Sequence, residues 1–434
     1  MSYFSRLFLL TVSFVVSLVS QPALKSKIDN LATSIEPKVI EWRRHFHQYP
    51  ELSNREFKTA EKVAAHLKSL GLEVQTGVAR TGVVALLKGG KPGPVVGLRA
   101  DMDGLPVVER VNLPFASKER STYNGQDVGV MHACGHDTHV SILMGVAEIL
   151  TSMKNDLRGT VKFIFQPAEE GAPEGEEGGA DVMVEQGVLA NPKVDVVFGL
   201  HISAQEAVNT IRYRPGGLLA AADRFRIKVK GRQTHGAYPW EGVDPIVVSS
   251  QIINGLQTIV SRQMELAENP VVVTVGSIHG GVRNNIIPEE VEMVGTIRTL
   301  DTLMQRKVHE KIRQTATGIA QSAGATAEVT ITLGTPVTFN HPGLTEKMAP
   351  TFHATAGKNN VVVMKPVMGA EDFSFYAQKV PSLFFFLGGR PANVKRDQSA
   401  AHHTPDFFVD ESGMKLGVRT MCNLVIDYMA MEKK

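Results

Sequence analysis

Apolar residues return every three or four positions at Phe57, Ala60, Val63, Ala64, Leu67 and Leu70 until Gly71. That spacing predicts an amphipathic helix with a glycine stop. The preceding segment, Glu36 to Gln48, also reads as helical. Short apolar runs bounded by Gly and Pro follow, Val83 to Leu87 and Val95 to Leu98, the pattern of strands buried on both faces. A helix from about Val140 to Met153, a strand Thr160 to Phe165, a helix around Ala180 to Gln186 and a strand Val194 to Leu200 continue the alternation. Such an order predicts a mostly parallel sheet covered by helices on both faces.

The pattern changes after Arg214-Pro-Gly-Gly217. Arg224 to Lys230 alternates polar with apolar residues, as a half-exposed strand does. A long helix, about Pro245 to Glu265, precedes strands near Val271 to Ile278 and Val291 to Thr299. A helix from Thr302 to Gln321 and an alternating strand from Ala327 to Leu333 complete the block. Helix Leu344 to Ala356, strands Val361 to Met364 and Leu383 to Leu387, and a last helix Met414 to Tyr428 then resume the first style. The expected fold class is α/β: a mostly parallel sheet domain, residues 36–215 and 333–434, interrupted by an inserted α+β domain, residues 216–332.

Composition narrows the function. With 46 basic and 44 acidic side chains the net charge is +2, which argues against a nucleic-acid partner. Residues 1–20 read as a signal peptide. Arg6 precedes the apolar run Leu7 to Val19, shorter than the roughly 20 residues a spanning helix needs, and small and polar residues follow. The chain is expected to be exported, periplasmic or secreted, without a stable membrane span after cleavage. Its two cysteines, Cys134 and Cys422, exclude a disulfide scaffold.

Polar residues gather where strands or their following loops end: Arg99 to Asp103, Met131 to His139, Gln166 to Glu170, Gly199 to His201, and Ala401 to Pro405. Open α/β sheets build their crevice at the carboxyl ends of strands, so these groups can converge. Thiol, imidazole and carboxylate together suit Zn²⁺ and other first-row divalent ions better than Ca²⁺ or Mg²⁺. Cys134 beside His132, His136 and His139 is poorly explained by packing alone. In the Glu169-Glu170 pair, one carboxylate can hold metal while the other takes a proton from an attacking water.

The strings RADMDGLP (99–106), MHACGHDTH (131–139), QPAEEG (166–171), GLH (199–201), GRQTHGAYP (231–239) and HHTP (402–405) occur in this order. Together they resemble the cysteine-containing branch of the di-metal aminoacylase and carboxypeptidase family, which includes hippurate hydrolases, N-acyl-amino-acid amidohydrolases and indole-acetyl-amino-acid hydrolases. The resemblance covers about residues 36–430. It implies a catalytic domain with an inserted lid and dimerisation domain, and two divalent ions (Zn, Mn or Co) bridged by Cys134. By position, His136, Glu170, His201 and His403 complete the ligands, with Glu170 and His403 on one ion and His136 and His201 on the other. The resemblance further implies Glu169 as general base, Asp103 as the carboxylate orienting a ligand histidine, and His235 as a lid residue entering the partner site of a homodimer to stabilise the oxyanion. Asp101 stands where related branches place a ligand histidine, so its role is open.

The implied substrate is a small N-acyl amino acid or peptide. Its carboxylate calls for a cationic or amide-rich anchor, for which Arg283, Asn284, Asn285 and Arg390 are candidates. Blander readings place His45 and His47 on the surface of the first helix, and Asp372 as the cap of a following helix. Two other functions compete: an exported metal- or ligand-binding protein that has lost catalysis, and a hydrolase using Cys134 as nucleophile beside a histidine base.

Overall fold

The computed structural model describes residues 21–431; the expected signal peptide lies outside them. An eight-stranded sheet runs in the order Glu73–Val78, Gly82–Lys88, Arg158–Gln166, Lys91–Asp101, Val196–Ala207, Ser382–Arg390, Ile211–Tyr213, Val361–Val363. The middle strands, from Arg158–Gln166 to Ser382–Arg390, are parallel, and antiparallel pairs flank them.

The period of two along each strand divides two cores. Phe163, Phe165, Phe198 and Phe385 face the helices Gln21–Gln48, His136–Ser152 and Met414–Ala430. Their neighbours Ile164, Val197 and Phe384 face Phe373, Tyr376 and the helix Gly179–Glu185. Full burial of each such side chain contributes roughly 1.5–3 kcal/mol. Helix His136–Ser152 is buried almost all round because it lies between the sheet and two outer helices.

The first helix differs from expectation. It begins at Gln21, not Glu36, and buries Leu24, Ile28, Ala32 and Ile35 in the same register as Val39, Trp42 and Phe46. Pro37 suits a first helical turn but stands inside this helix. His47 is also corrected: it is 1% exposed, held between Asp137 at 2.9 Å and Glu109 at 3.1 Å. The apolar stripe turns its side of the helix inward, whereas His45 is exposed.

A second, antiparallel sheet runs Val271–Gly280, Glu290–Thr299, Ala221–Lys230, Thr326–Thr335. Helices Pro245–Thr258 and Thr302–Ser322 cover one face and bury Phe225, Ile227, Val229, Met293 and Ile297. Arg224 and Arg226, in the alternate register, stay exposed. The helix expected to reach Glu265 ends at Thr258 and passes into a π turn, Ile259–Gln263. Gly216–Leu219 pairs with Thr338–Asn340 where the chain passes between the sheets. Among the described residues, no helix is long and apolar enough to cross a membrane.

Candidate metal centre

Three strands of the parallel sheet and two loops deliver the site. Lys91–Asp101 carries Arg99 and Asp101 and leads to Asp103; Arg158–Gln166 leads to Glu169 and Glu170. His201 is not at a strand end as expected, because Val196–Ala207 runs on beyond it. Pairing with Lys91–Asp101 stops at Arg99↔Gly199, and His201 lies just past that point, opposite Phe386. Cys134 and His136 flank Gly135, whose φ is 96°. A Cβ there would come within 2.3 Å of Ile202 Cγ2, so glycine is required both for conformation and for space. His403, itself at φ 63°, donates its backbone N–H to Ala133 O at 2.8 Å and so docks beside Cys134.

Donor atoms of Cys134, His136 and His201 lie within 4.8 Å of one another, and so do those of Cys134, Glu170 and His403. The sulfur belongs to both groups. Cys134 Sγ is 3.4 Å from His201 Nε2, and His403 Nε2 is 3.1 Å from Glu170 Oε1. His402, the neighbour of the expected ligand, also approaches: its Nδ1 is 3.6 Å from the sulfur, while its Nε2 accepts the Ala204 N–H at 3.1 Å.

The residues fit a divalent ion. His136 Nδ1 is 3.2 Å from Asp103 Oδ1. Its other nitrogen, Nε2, is buried without a hydrogen bond, 3.7 Å from Glu169 and 3.9 Å from Glu170. An unmet buried group of this kind is costly unless something binds it, and a cation between imidazole and carboxylates satisfies it. In the chain alone burial disfavours the imidazolium, but Asp101 and Asp103 outweigh it and raise His136 to about 10.

Carboxylates dominate the field. Burial, then Glu371, Glu170 and Asp372, push Glu169 well above the usual carboxyl range. The Cys134 thiol is pushed well up by burial and then by Glu170 and Glu169. A nucleophilic cysteine needs the opposite shift. Of the imidazoles nearest the sulfur, burial together with other histidines pushes His201 well down and takes His402 to about 3, while the raised His136 is drawn to Asp101 and Asp103.

Asp101, whose role the sequence leaves open, stands among His139, Arg99 and His136, the last at 3.9 Å. It lies 2.5 Å from His139 Nδ1 and accepts Arg99 Nη1 at 2.6 Å, and His139 Nε2 accepts the Ile202 N–H at 2.8 Å. Asp101 thus braces the strand that carries His201. Asp372 does not act as the expected helix cap: its side chain accepts from Arg99, Gln166 and the Ala180 N–H, because the turn points it inward. Arg99, which opens one of the polar segments of the sequence but carries no role there, is fully buried and bonded to Gln166, Asp101, Glu371 and Asp372. A buried arginine on an otherwise apolar strand was the available signal.

His235 and the anchor candidates make no bond to the Cys134 cluster among the described residues. His235 is exposed on a short strand paired with Ile286–Ile287, and among the described residues no hydrogen bond or ion pair joins it to the Cys134 cluster. Arg283, Asn284 and Asn285 form the exposed loop beside it, with Gly236 N–H donating to Asn285 O at 2.8 Å. Arg390 donates to the backbone carbonyls of Gln205 and Val394.

Comparison with known proteins places the chain in a family. The model of peptidase family M20/M25/M40 matches residues 97–427. Thermostable carboxypeptidase 1 of Saccharolobus solfataricus is 41% identical, over 93% of this chain and 99% of its own length. The N-acetyl-L-cysteine deacetylase of Bacillus subtilis is 37% identical, over 89% of this chain and 86% of its own. Among solved structures, a dinuclear metal-binding peptidase of the M20 family from Bacillus subtilis superposes with a TM-score of 0.78 at 33% identity, covering 92% of this chain and 99% of that one. Matched along nearly its whole described length, the chain belongs to peptidase family M20/M25/M40 and is a metal-dependent hydrolase of amide bonds.

Proposed function

We propose that the protein hydrolyses the amide bond of N-acyl or N-aroyl amino acids, or of short peptides, at a centre for two zinc, manganese or cobalt ions. The observation that carries this reading is the sharing of Cys134 by two donor groups, one with His136 and His201 and the other with Glu170 and His403. Bound divalent ions supply Lewis acidity, polarising the amide carbonyl and acidifying water. Glu169 lies outside the two groups that share Cys134, although it also neighbours His136 and Glu170. With ions bound, their positive charge would offset the carboxylate field that raises Glu169 in the chain alone, and its carboxylate would take the proton of the attacking water and deliver it to the leaving nitrogen. Asp103 fixes the His136 ring so that Nε2 faces the carboxylates.

The protein acts as an exported homodimer in this reading. Support for the dimer is that His235 and the Arg283–Asn285 loop are exposed side by side, apart from the cluster in their own chain. A partner's lid can bring an imidazole to the oxyanion and cationic and amide groups to the substrate carboxylate. Support for export is the Arg6-led apolar run, Leu7 to Val19.

Acetyl, benzoyl, indole-acetyl and aminobenzoyl amino acids presented to the metal-loaded protein test the substrate class. At least one series is expected to turn over, and Glu169→Gln is expected to lower kcat by about 10²–10⁴-fold with metal still bound. Turnover of none of them by metal-loaded protein, or full activity of E169Q, overturns the reading.

A further inference from the structure

The turn that presents Glu169 is held by a residue far away in sequence. Ala168, immediately before the base, has a φ of 53°, a left-handed conformation that costs a residue with a Cβ roughly 1–2 kcal/mol. Its N–H donates to Glu56 Oε1 at 2.8 Å, and the other oxygen of Glu56 accepts the Thr81 hydroxyl at 2.7 Å. Glu56 and Thr81 are buried. Glu56 occupies the N-cap position of the helix Phe57–Ser69, where an acidic side chain ordinarily accepts from the first helical N–H groups, yet it makes no cap bond. That work is done by Glu51, which accepts from Lys58 N and Thr59 N.

The rest of the 51–56 segment closes on the same loop. Ser53 donates to Asp103, the carboxylate that accepts the N–H groups of Glu169 and Glu170. Asn54 donates to Glu177 O at 3.0 Å, and a Cβ on Gly178 would meet Asn54 Oδ1 at 2.5 Å. These bonds cradle the acidic loop from both ends.

We infer that Glu56 is a positioning residue for catalysis, holding Ala168 in its left-handed turn so that Glu169 faces the cluster. This rests on Glu169 as the base. The function asked of Glu56 is that of an acceptor, so a glutamine, which keeps a carbonyl oxygen, should serve, whereas alanine should not. Glycine at 168 adopts φ > 0 without penalty and should reduce the need for Glu56.

The test compares Glu56→Ala, Glu56→Gln, the double variant E56A/A168G and Thr81→Ala, all metal-loaded, by kcat, KM, metal content and amide exchange at position 168. E56A is expected to lose at least tenfold in kcat with KM within about twofold and its metal retained. E56Q should stay within about threefold of the parent, and E56A/A168G should recover severalfold over E56A. Should E56A not fold, T81A, which releases one Glu56 oxygen while sparing the Ala168 bond, should speed amide exchange at 168 and lower kcat at unchanged KM. Full activity in E56A, an E56Q as impaired as E56A, or unaltered exchange and kcat in T81A overturns the inference. Failure here is separable from failure of the base assignment: an active E169Q refutes the latter, whereas an inactive E169Q beside an unimpaired E56A refutes only the role of Glu56.

Discussion

The Asp103 carboxylate lies 3.2 Å from His136 Nδ1, and this one contact ties the imidazole of the cluster to the carboxylates facing it. The same side chain accepts the N–H groups of Glu169 and Glu170 at 3.2 and 3.0 Å. Burial works against its charge, but His136 and Ser53 outweigh it and hold the carboxyl below its usual range. Replacing Asp103 by Ala therefore frees both the ring and the loop. Metal affinity is expected to fall about 10–100-fold, measured by competition with a chromophoric chelator. An unchanged affinity in a folded D103A protein contradicts the orienting role.

Cys134 makes metal binding pH-dependent. Burial and the Glu170 and Glu169 carboxylates raise the thiol well above its ordinary value in the chain alone, so near neutral pH it carries its proton. An ion that takes thiolate must displace that proton, and affinity accordingly rises with pH, about tenfold per unit for each proton released. Calorimetry in buffers of different ionisation enthalpy counts the protons. Cys134→Ser should lower the count by about one; an equal count in both proteins shows that the sulfur does not bind as thiolate.

Exchange of lids across a dimer has a quantitative signature. His235→Ala and Glu169→Gln chains are each expected to be nearly inactive alone. Mixed and re-annealed in equal amounts, they form heterodimers in which one site has Glu169 from one chain and His235 from the other. Random pairing restores about a quarter of parental activity if the dimer is two-fold symmetric. No recovery from a verified heterodimer counts against His235 acting in the partner's site.

The sequence was most legible where chemistry is local. Cys134 and His136 are separated only by Gly135, Glu169 and Glu170 adjoin, and the apolar strand Arg158–Gln166 announces the Glu169 loop. His136, His201, Glu170 and His403 then come together around the sulfur because the strands that carry His201 and lead to Glu170 lie in one sheet, against which the start of helix His136–Ser152 and the His403 loop dock. Partners that depend on tertiary pairing were not legible. Glu56 meets Ala168, and Arg99 meets Asp372, across stretches of chain for which no local period codes. His47 looked like a surface histidine until the packing of its helix, Gln21–Gln48, turned that face inward against Asp137. The front half of that helix was hidden for a different reason: Pro37 resembles a helix start, although Leu24, Ile28 and Ile35 continue the same apolar stripe.

Titration of chelated protein with Mn²⁺ or Zn²⁺, following turnover of an N-acyl amino acid at each addition, tests the two-ion centre most directly. The donor groups that share Cys134 predict no turnover without metal and a rise that breaks at two equivalents per chain. Undiminished turnover by the chelated protein, or full activity at a single equivalent, contradicts it.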